Sequence, residues 1–120
     1  MNKRGEERAK CLATHFKNSG ITNMYAYTDH PSTRSVDTLK PLSEAINVKI
    51  DTKTGRDDTK GLAKRISELP AGSVALICWE HQQIADIAEA LGVHSPPDYN
   101  GYDEQWTVQG GDLSKGKEGC

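Results

Sequence analysis

The apolar residues of this chain follow a helical spacing in four segments. In the first, Ala9, Leu12, Ala13 and Phe16 repeat at i, i+3, i+4 and i+7, the stripe of an amphipathic helix. Gly20 stands where such a helix would end. The same spacing predicts three further helices, whose apolar positions run over Val36–Ile46, Leu62–Leu69 and Ile84–Leu91.

Short apolar runs without that spacing separate the helices. Residues 24–28 and 48–50 predict two short strands. Residues 74–79 are apolar without alternation, which is typical of a strand buried on both faces. A last short strand is expected within 102–108. Because strands and helices alternate, the chain is expected to form an α/β fold, a mostly parallel sheet with flanking helices.

The length of 120 residues suits one core. The sequence predicts one domain over residues 1–108 and a flexible polar tail at 109–120. The tail is predicted because the chain ends in GGDLSKGKEGC, which is rich in Gly and Lys and has no apolar period.

Charge and cysteine content narrow the partners. The formal net charge is −2 and no basic stripe is present, which argues against nucleic acid as a partner. Cys11, Cys78 and Cys120 are too widely spaced for a metal knuckle or a paired framework, so no metal or cofactor and a reduced chain are predicted. No stretch is apolar enough for a signal peptide or a membrane span, so the expected location is cytoplasmic.

Polar residues with useful chemistry follow two of the predicted strands. The first strand is followed by Asp29, His30, Ser32, Thr33 and Arg34, and the third by Glu80 and His81. Ligands of open α/β sheets bind beyond the carboxyl ends of the strands, near helix N-termini that favour anions. A guanidinium and an imidazole at that edge would suit a phosphate.

A structural interpretation of the same residues stays open. Glu80 or His81 would then cap the helix that follows, and Arg34 would pair with a surface carboxylate such as Asp37.

Three segments resemble the histidine phosphatase superfamily, the phosphoglycerate-mutase-like proteins. Residues 2–16 are similar to its Leu-Thr-x-x-Gly-x-x-Arg/Gln-Ala-x-x-Leu helix. Residues 24–46 resemble its next segment, a strand and loop followed by Arg-x-x-x-Thr and Pro-Leu. Residues 73–93 resemble the strand and helix that carry its second pocket histidine. The resemblance covers roughly residues 2 to 108 and implies a truncated phosphoglycerate-mutase-like fold.

The resemblance implies roles for individual residues. Arg34 would bind phosphate, and His81 would be the catalytic histidine that contacts the transferring phosphoryl group. His30 and Glu80 are further candidates for substrate binding. Glu80 departs from the family, which has a small or polar residue there, and adjacent residues at a strand end point in different directions, which argues against Glu80 as a proton donor.

The family's opening strand, which ends in Leu-x-Arg-His-Gly and supplies the nucleophilic histidine, has no counterpart, because no Arg-His pair occurs in these 120 residues. The expected function is therefore that of a truncated protein with a partial phosphate pocket, acting by binding or self-assembly without phosphatase activity. The alternatives are an active phosphomonoesterase whose pocket is completed by His30 or a second subunit, or a fragment of a longer phosphatase. Because the missing strand is central in the family, inner strand edges would be bare, which predicts a homodimer.

Overall fold

A computed structural model describes residues 3–27, 34–97, 104–109 and 112–117 of the chain. Four helices alternate with three short strands, and a hairpin follows. In chain order the elements are α1 (Lys3–Phe16), β1 (Asn23–Tyr25), α2 (Arg34–Ile46), β2 (Ile50–Asp51), α3 (Thr59–Ser67), β3 (Ala75–Ile77), α4 (His81–Ala90), β4 (Glu104–Gln109) and β5 (Asp112–Lys117).

The four helices and three parallel strands confirm the predicted α/β class. Gly20 and Gly92 have φ angles of 72° and 104° and lie beyond the ends of α1 and α4. That left-handed conformation is one that glycine adopts without steric cost, so Gly92 suits the end of α4, whereas Gly20 lies four residues after Phe16, in the connection to β1.

The main sheet is parallel and has the order β2-β1-β3. Met24 of β1 lies opposite Ile50 of β2 and opposite Leu76 of β3. The central strand is therefore paired on both sides, and the described part of the sheet has its free edges at β2 and β3. No inner strand of that part is left bare, in contrast to the expectation from the missing family strand.

Helices cover both faces of this sheet. Met24 and Ala26 point into a core with α1 and α2, where they meet Leu12, Phe16 and Leu42. Tyr25, between them in sequence, points into the other core, which is built from α3, α4 and the residues around β3. Since successive strand residues face opposite sides, a three-residue strand can serve two cores.

The strand β3 is less buried than its apolar sequence predicts. Ala75, Leu76 and Ile77 are each only partly buried, and Val74 before them is 42% exposed. The prediction of a strand that is fully buried over 74–79 is therefore wrong. Helices cover the faces of β3, but its position at the sheet edge leaves one side uncovered within the described structure.

The C-terminal strands form a separate antiparallel hairpin. Trp106 lies opposite Lys115, and Val108 lies opposite Leu113. The Lys115 ammonium lies 5.6 Å from the centre of the Trp106 ring. Residues 112–117 are thus a strand where the sequence predicts a flexible tail, because pairing with a neighbouring strand, which leaves no apolar period, stabilises it.

Two further predictions concern membrane-spanning helices and the oxidation state of the cysteines. None of the helices in the described ranges has the length and apolarity needed to cross a membrane. Cys78 is not in a disulfide, whereas Cys11 is disulfide-bonded, which differs from the reduced chain that the cysteine spacing predicts.

Candidate functional site

The strand order defines where a ligand would bind. The chain moves from β1 to β2 on one side, and then crosses over β1 to reach β3 on the other side. Because the direction of winding reverses, the connections that leave β1 and β3 diverge to opposite faces of the sheet. The opening between their carboxyl ends is the usual ligand position of an open α/β sheet.

Arg34 and His81 begin the two helices that leave this opening. Arg34 is the first residue of α2, which follows β1, and His81 is the first residue of α4, which follows β3. The strands are adjacent and parallel, with Tyr25 opposite Ile77, so the helices that begin with Arg34 and His81 follow strands whose carboxyl ends lie at the same edge of the sheet. The side chains of Arg34 and His81 lie outside the described structure, as do all of residues 28–33 and thus His30.

The start of α2 is tied to the end of β1. The Ser35 hydroxyl donates to the carbonyl of Tyr27 at 3.0 Å and accepts from the backbone N–H of Tyr27 at 3.3 Å. Ser35 is buried, and both of these bonds join the segments on either side of residues 28–33. They fix the backbone position from which the side chain of Arg34 extends.

Glu80 does not cap α4 with its side chain. It occupies the N-cap position with extended backbone angles, and its carbonyl accepts the N–H of Gln83 at 3.0 Å. Its carboxylate instead lies 3.2 Å from Nε of Arg56, in the loop after β2. The capping interpretation of the sequence is therefore wrong for the Glu80 carboxylate.

Arg56 also lies at this edge, although it is not among the site residues predicted from the sequence. Its carbonyl accepts a hydrogen bond of 2.7 Å from the buried indole of Trp79. Trp79 also packs edge-to-face against Tyr27, with ring centres 5.2 Å apart. One aromatic side chain thus joins the loops that follow all three strands.

A second contact joins the loop after β2 to α4. The side-chain amide of Gln83 donates to the carboxylate of Asp57, which itself lies 3.5 Å from Nε of Arg56. The signal for these residues is present in the sequence. Arg56 and Asp57 belong to a polar loop directly after a strand, the same criterion that selected Arg34 and His81.

Another charge pair near this edge joins α3 to the end of β2. Arg65 of α3 forms a bidentate pair with Asp51 at the end of β2, and its second bond, from Nη1 to Oδ1, is 3.0 Å. The same nitrogen donates to the hydroxyl of the buried Thr54 at 3.0 Å. The guanidinium also lies 5.9 Å from the ring centre of Tyr25. These contacts hold α3 against the sheet, and the charge of Arg65 is balanced by that of Asp51.

The pKa values of this cluster follow from its contacts. Burial alone would raise the pKa of Asp51, but the hydrogen bonds from Arg65 and from the N–H of Lys53, with the charges of both residues, outweigh burial and lower that pKa. Burial and the nearby Asp51 carboxylate raise the pKa of Tyr25, partly offset by Arg65. Both shifts favour the protonation states found at neutral pH.

Other possible sites carry less chemistry. Within the described structure, no three His, Cys, Asp or Glu side chains are grouped so as to hold a metal ion. An open groove between α3 and α4 has Lys60 and Lys64 on one wall and Asp86 and Glu89 on the other. It includes none of the residues that the sequence selected, so the carboxyl edge of the sheet remains the best-supported location.

In comparisons with known proteins, no protein-family model matches this chain, and no curated protein is significantly similar to it. The relationship to the histidine phosphatases therefore rests on the three sequence segments alone and stays a prediction.

Proposed function

We propose that this chain contains a histidine-phosphatase-like domain that binds phosphate or a phosphorylated small molecule between the carboxyl ends of β1 and β3. The proposal rests above all on one observation. Arg34 and His81, far apart in sequence, begin the two helices that follow these adjacent parallel strands. Two helix N-termini at the point of strand reversal favour an anion, and a guanidinium and an imidazole are the side chains that bind one.

The neighbouring charges bear on what the site would accept. The Glu80 carboxylate precedes His81 and would repel an anion, but it is paired with Arg56, and Arg56 also lies near Asp57. This pairing reduces the negative potential beside the start of α4. In the proposed site, Arg34 binds the phosphate with its planar fork and His81 contacts a phosphate oxygen.

Catalysis by the family's route is not part of the proposal. That route needs an imidazole that attacks phosphorus and becomes phosphorylated, and the sequence lacks the Arg-His pair that would supply it. The domain would act by binding rather than by turnover.

The test is to titrate the full chain with inorganic phosphate and with vanadate, and to measure binding by calorimetry or NMR. Arg34→Ala and His81→Ala should each weaken binding by roughly ten- to a hundredfold, as expected for losing a charged hydrogen bond of about 1.5–3 kcal/mol. Arg4→Ala, which removes an exposed arginine of α1, should leave binding unchanged.

An aryl phosphate assay on the same proteins separates binding from catalysis. No turnover is expected from any of them. Turnover that disappears in both Arg34→Ala and His81→Ala would show a phosphomonoesterase and contradict the proposed inactivity. Phosphate binding that is equal in wild type and Arg34→Ala would contradict the proposed site itself.

A further inference from the structure

The outer side of β3 has the properties of an interaction surface. We call residues 74–78, Val74 to Cys78, the β3 edge. All five side chains are apolar or thiol, and none is charged. Proteins usually protect exposed strand edges with Lys, Pro, bulges or covering segments. In the described structure β3 pairs only with β1, and Val74 is exposed over 42% of its surface.

Backbone hydrogen bonds establish which groups face outward. The carbonyl of Val74 accepts from the N–H of Asn23 at 3.2 Å, and the N–H of Cys78 donates to the carbonyl of Tyr25 at 3.0 Å. In a parallel strand, alternate residues direct their N–H and C=O groups to the same neighbour. Ala75 and Ile77 therefore direct theirs away from β1, to the outer side of β3.

The opposite edge of the sheet is protected in the usual way. The strand β2 has only two residues, Ile50 and Asp51. The exposed Lys49 precedes it and the exposed Lys53 follows it. Asp51 is held by Arg65 and by the N–H of Lys53. Charge at the edge and a very short strand both discourage pairing, so the two edges of one sheet differ in kind.

We propose that two copies of this chain associate through their β3 edges, which pair antiparallel about a two-fold axis and join two three-stranded sheets into one. Antiparallel pairing of a segment with itself is self-complementary, as a two-fold dimer requires. Every residue of the β3 edge then lies opposite another uncharged residue, so no like charges meet. A second copy satisfies the outward groups of Ala75 and Ile77 with the same groups of its partner.

This inference does not depend on the phosphate site, and its test uses a different measurement. The test is the mass of the full chain in solution, measured by light scattering or sedimentation over a range of concentrations. Twice the chain mass of 13.1 kDa is expected for the wild type at the upper concentrations.

The decisive variant is Val74→Lys, which adds a charge at the β3 edge. Because Val74 is exposed, the variant should fold, as circular dichroism and thermal unfolding will show. It should weaken the dimer by about tenfold or more. Thr52→Lys, which adds the same charge directly after β2 at the other edge, is the matched control and should leave the dimer intact.

A second variant tests the backbone groups. Ala75→Pro removes one outward N–H and leaves the N–H of Cys78 to bond Tyr25, since proline is tolerated on edge strands. The dimer should again weaken. A single-chain mass at every concentration, equal weakening by Val74→Lys and Thr52→Lys, or a dimer that survives both β3 variants would overturn the proposal.

Discussion

The guanidinium Nε of Arg56 lies 3.2 Å from a carboxylate oxygen of Glu80, and this contact joins the loop after β2 to the start of α4. Both side chains are partly exposed, at 42% and 31%. The pair therefore contributes little to stability, about 1 kcal/mol or less. Its larger effect is on the electric potential beside His81.

Glu80→Gln is therefore expected to change phosphate binding while it leaves the stability of the fold nearly unchanged. The free energy of unfolding should change by less than about 1 kcal/mol. Phosphate should bind up to about fivefold more tightly at low salt, since one charge at short range in water is worth about 1 kcal/mol. Phosphate titrations at low and high ionic strength test this, and the gain should vanish at high salt. Glu89→Gln, at an exposed position near the far end of α4, is the control.

Trp79 should stabilise the carboxyl edge through its hydrogen bond as well as its bulk. Trp79→Phe keeps an aromatic ring beside Tyr27 but removes the indole N–H that bonds the carbonyl of Arg56. We expect a loss of about 1–3 kcal/mol in the free energy of unfolding. Trp79→Ala should cost about 3–5 kcal/mol, because packing is lost too. Urea unfolding of both variants measures the difference. A Phe variant as stable as wild type would show that the hydrogen bond is of no consequence.

The pair of Asp51 and Arg65 predicts how stability depends on acid. The pKa of Asp51 is lowered in the folded chain, so below the ordinary value the folded state binds fewer protons than the unfolded state. The stabilisation is complete above about pH 4, the ordinary carboxyl range, and is lost as the pH falls through the lowered value.

Asp51→Asn tests this dependence. The variant should be less stable than wild type by roughly 1–3 kcal/mol at pH 7, because it leaves Arg65 without its carboxylate. The difference should shrink as the pH falls through the lowered pKa of Asp51, because the wild-type carboxylate then becomes protonated as well. Unfolding midpoints measured between pH 2 and 7 decide the matter, with the exposed Asp86→Asn as control. A stability difference between wild type and Asp51→Asn that stays constant with pH would contradict a lowered pKa of Asp51 in the folded chain.

Gly61 should be an exception to the rule that alanine stabilises a helix. The Asp58 side chain accepts the N–H of Gly61 at 2.9 Å and caps α3. A β-carbon on residue 61 would overlap one oxygen of that carboxylate, so the cap would have to move.

Gly61→Ala is therefore expected to give no net gain in the free energy of unfolding, because losing the cap offsets about 1 kcal/mol of helix propensity. In an Asp58→Ala background the same substitution should stabilise by about 0.5–1 kcal/mol. Thermal unfolding of the four proteins completes the cycle. Additive effects would show that the cap and residue 61 are not coupled.

The sequence predicts the helices well because each carries an apolar stripe of its own. Leu12 and Phe16 in α1 and Ile84 and Ile87 in α4 are signals contained within one segment. The hairpin shows the limit of such signals. β5 depends on partners such as Val108 opposite Leu113, and this pairing leaves no apolar period in the sequence of β5 itself.

The candidate site was predictable in part for the same reason. That Arg34 and His81 share an edge follows from the alternation of strands and helices. The contact of Glu80 with Arg56 does not, because it depends on the conformation of a loop and on which strand lies next to which. β3 is only partly buried because it lies at the edge of the sheet, and the order of the strands cannot be predicted from a run of apolar residues.

The central position of β1 in the sheet also affects the order in which parts of the chain can fold during synthesis. Residues 3–51 contain α1, β1, α2 and β2, and with them most of the core that includes Met24 and Leu42. That half can pack on the ribosome before the rest has emerged. The other face of β1, which carries Tyr25, stays uncovered until α3 and β3 are made. During that interval the nascent chain presents a half-built sheet, and this is the stage at which a chaperone would have most to bind.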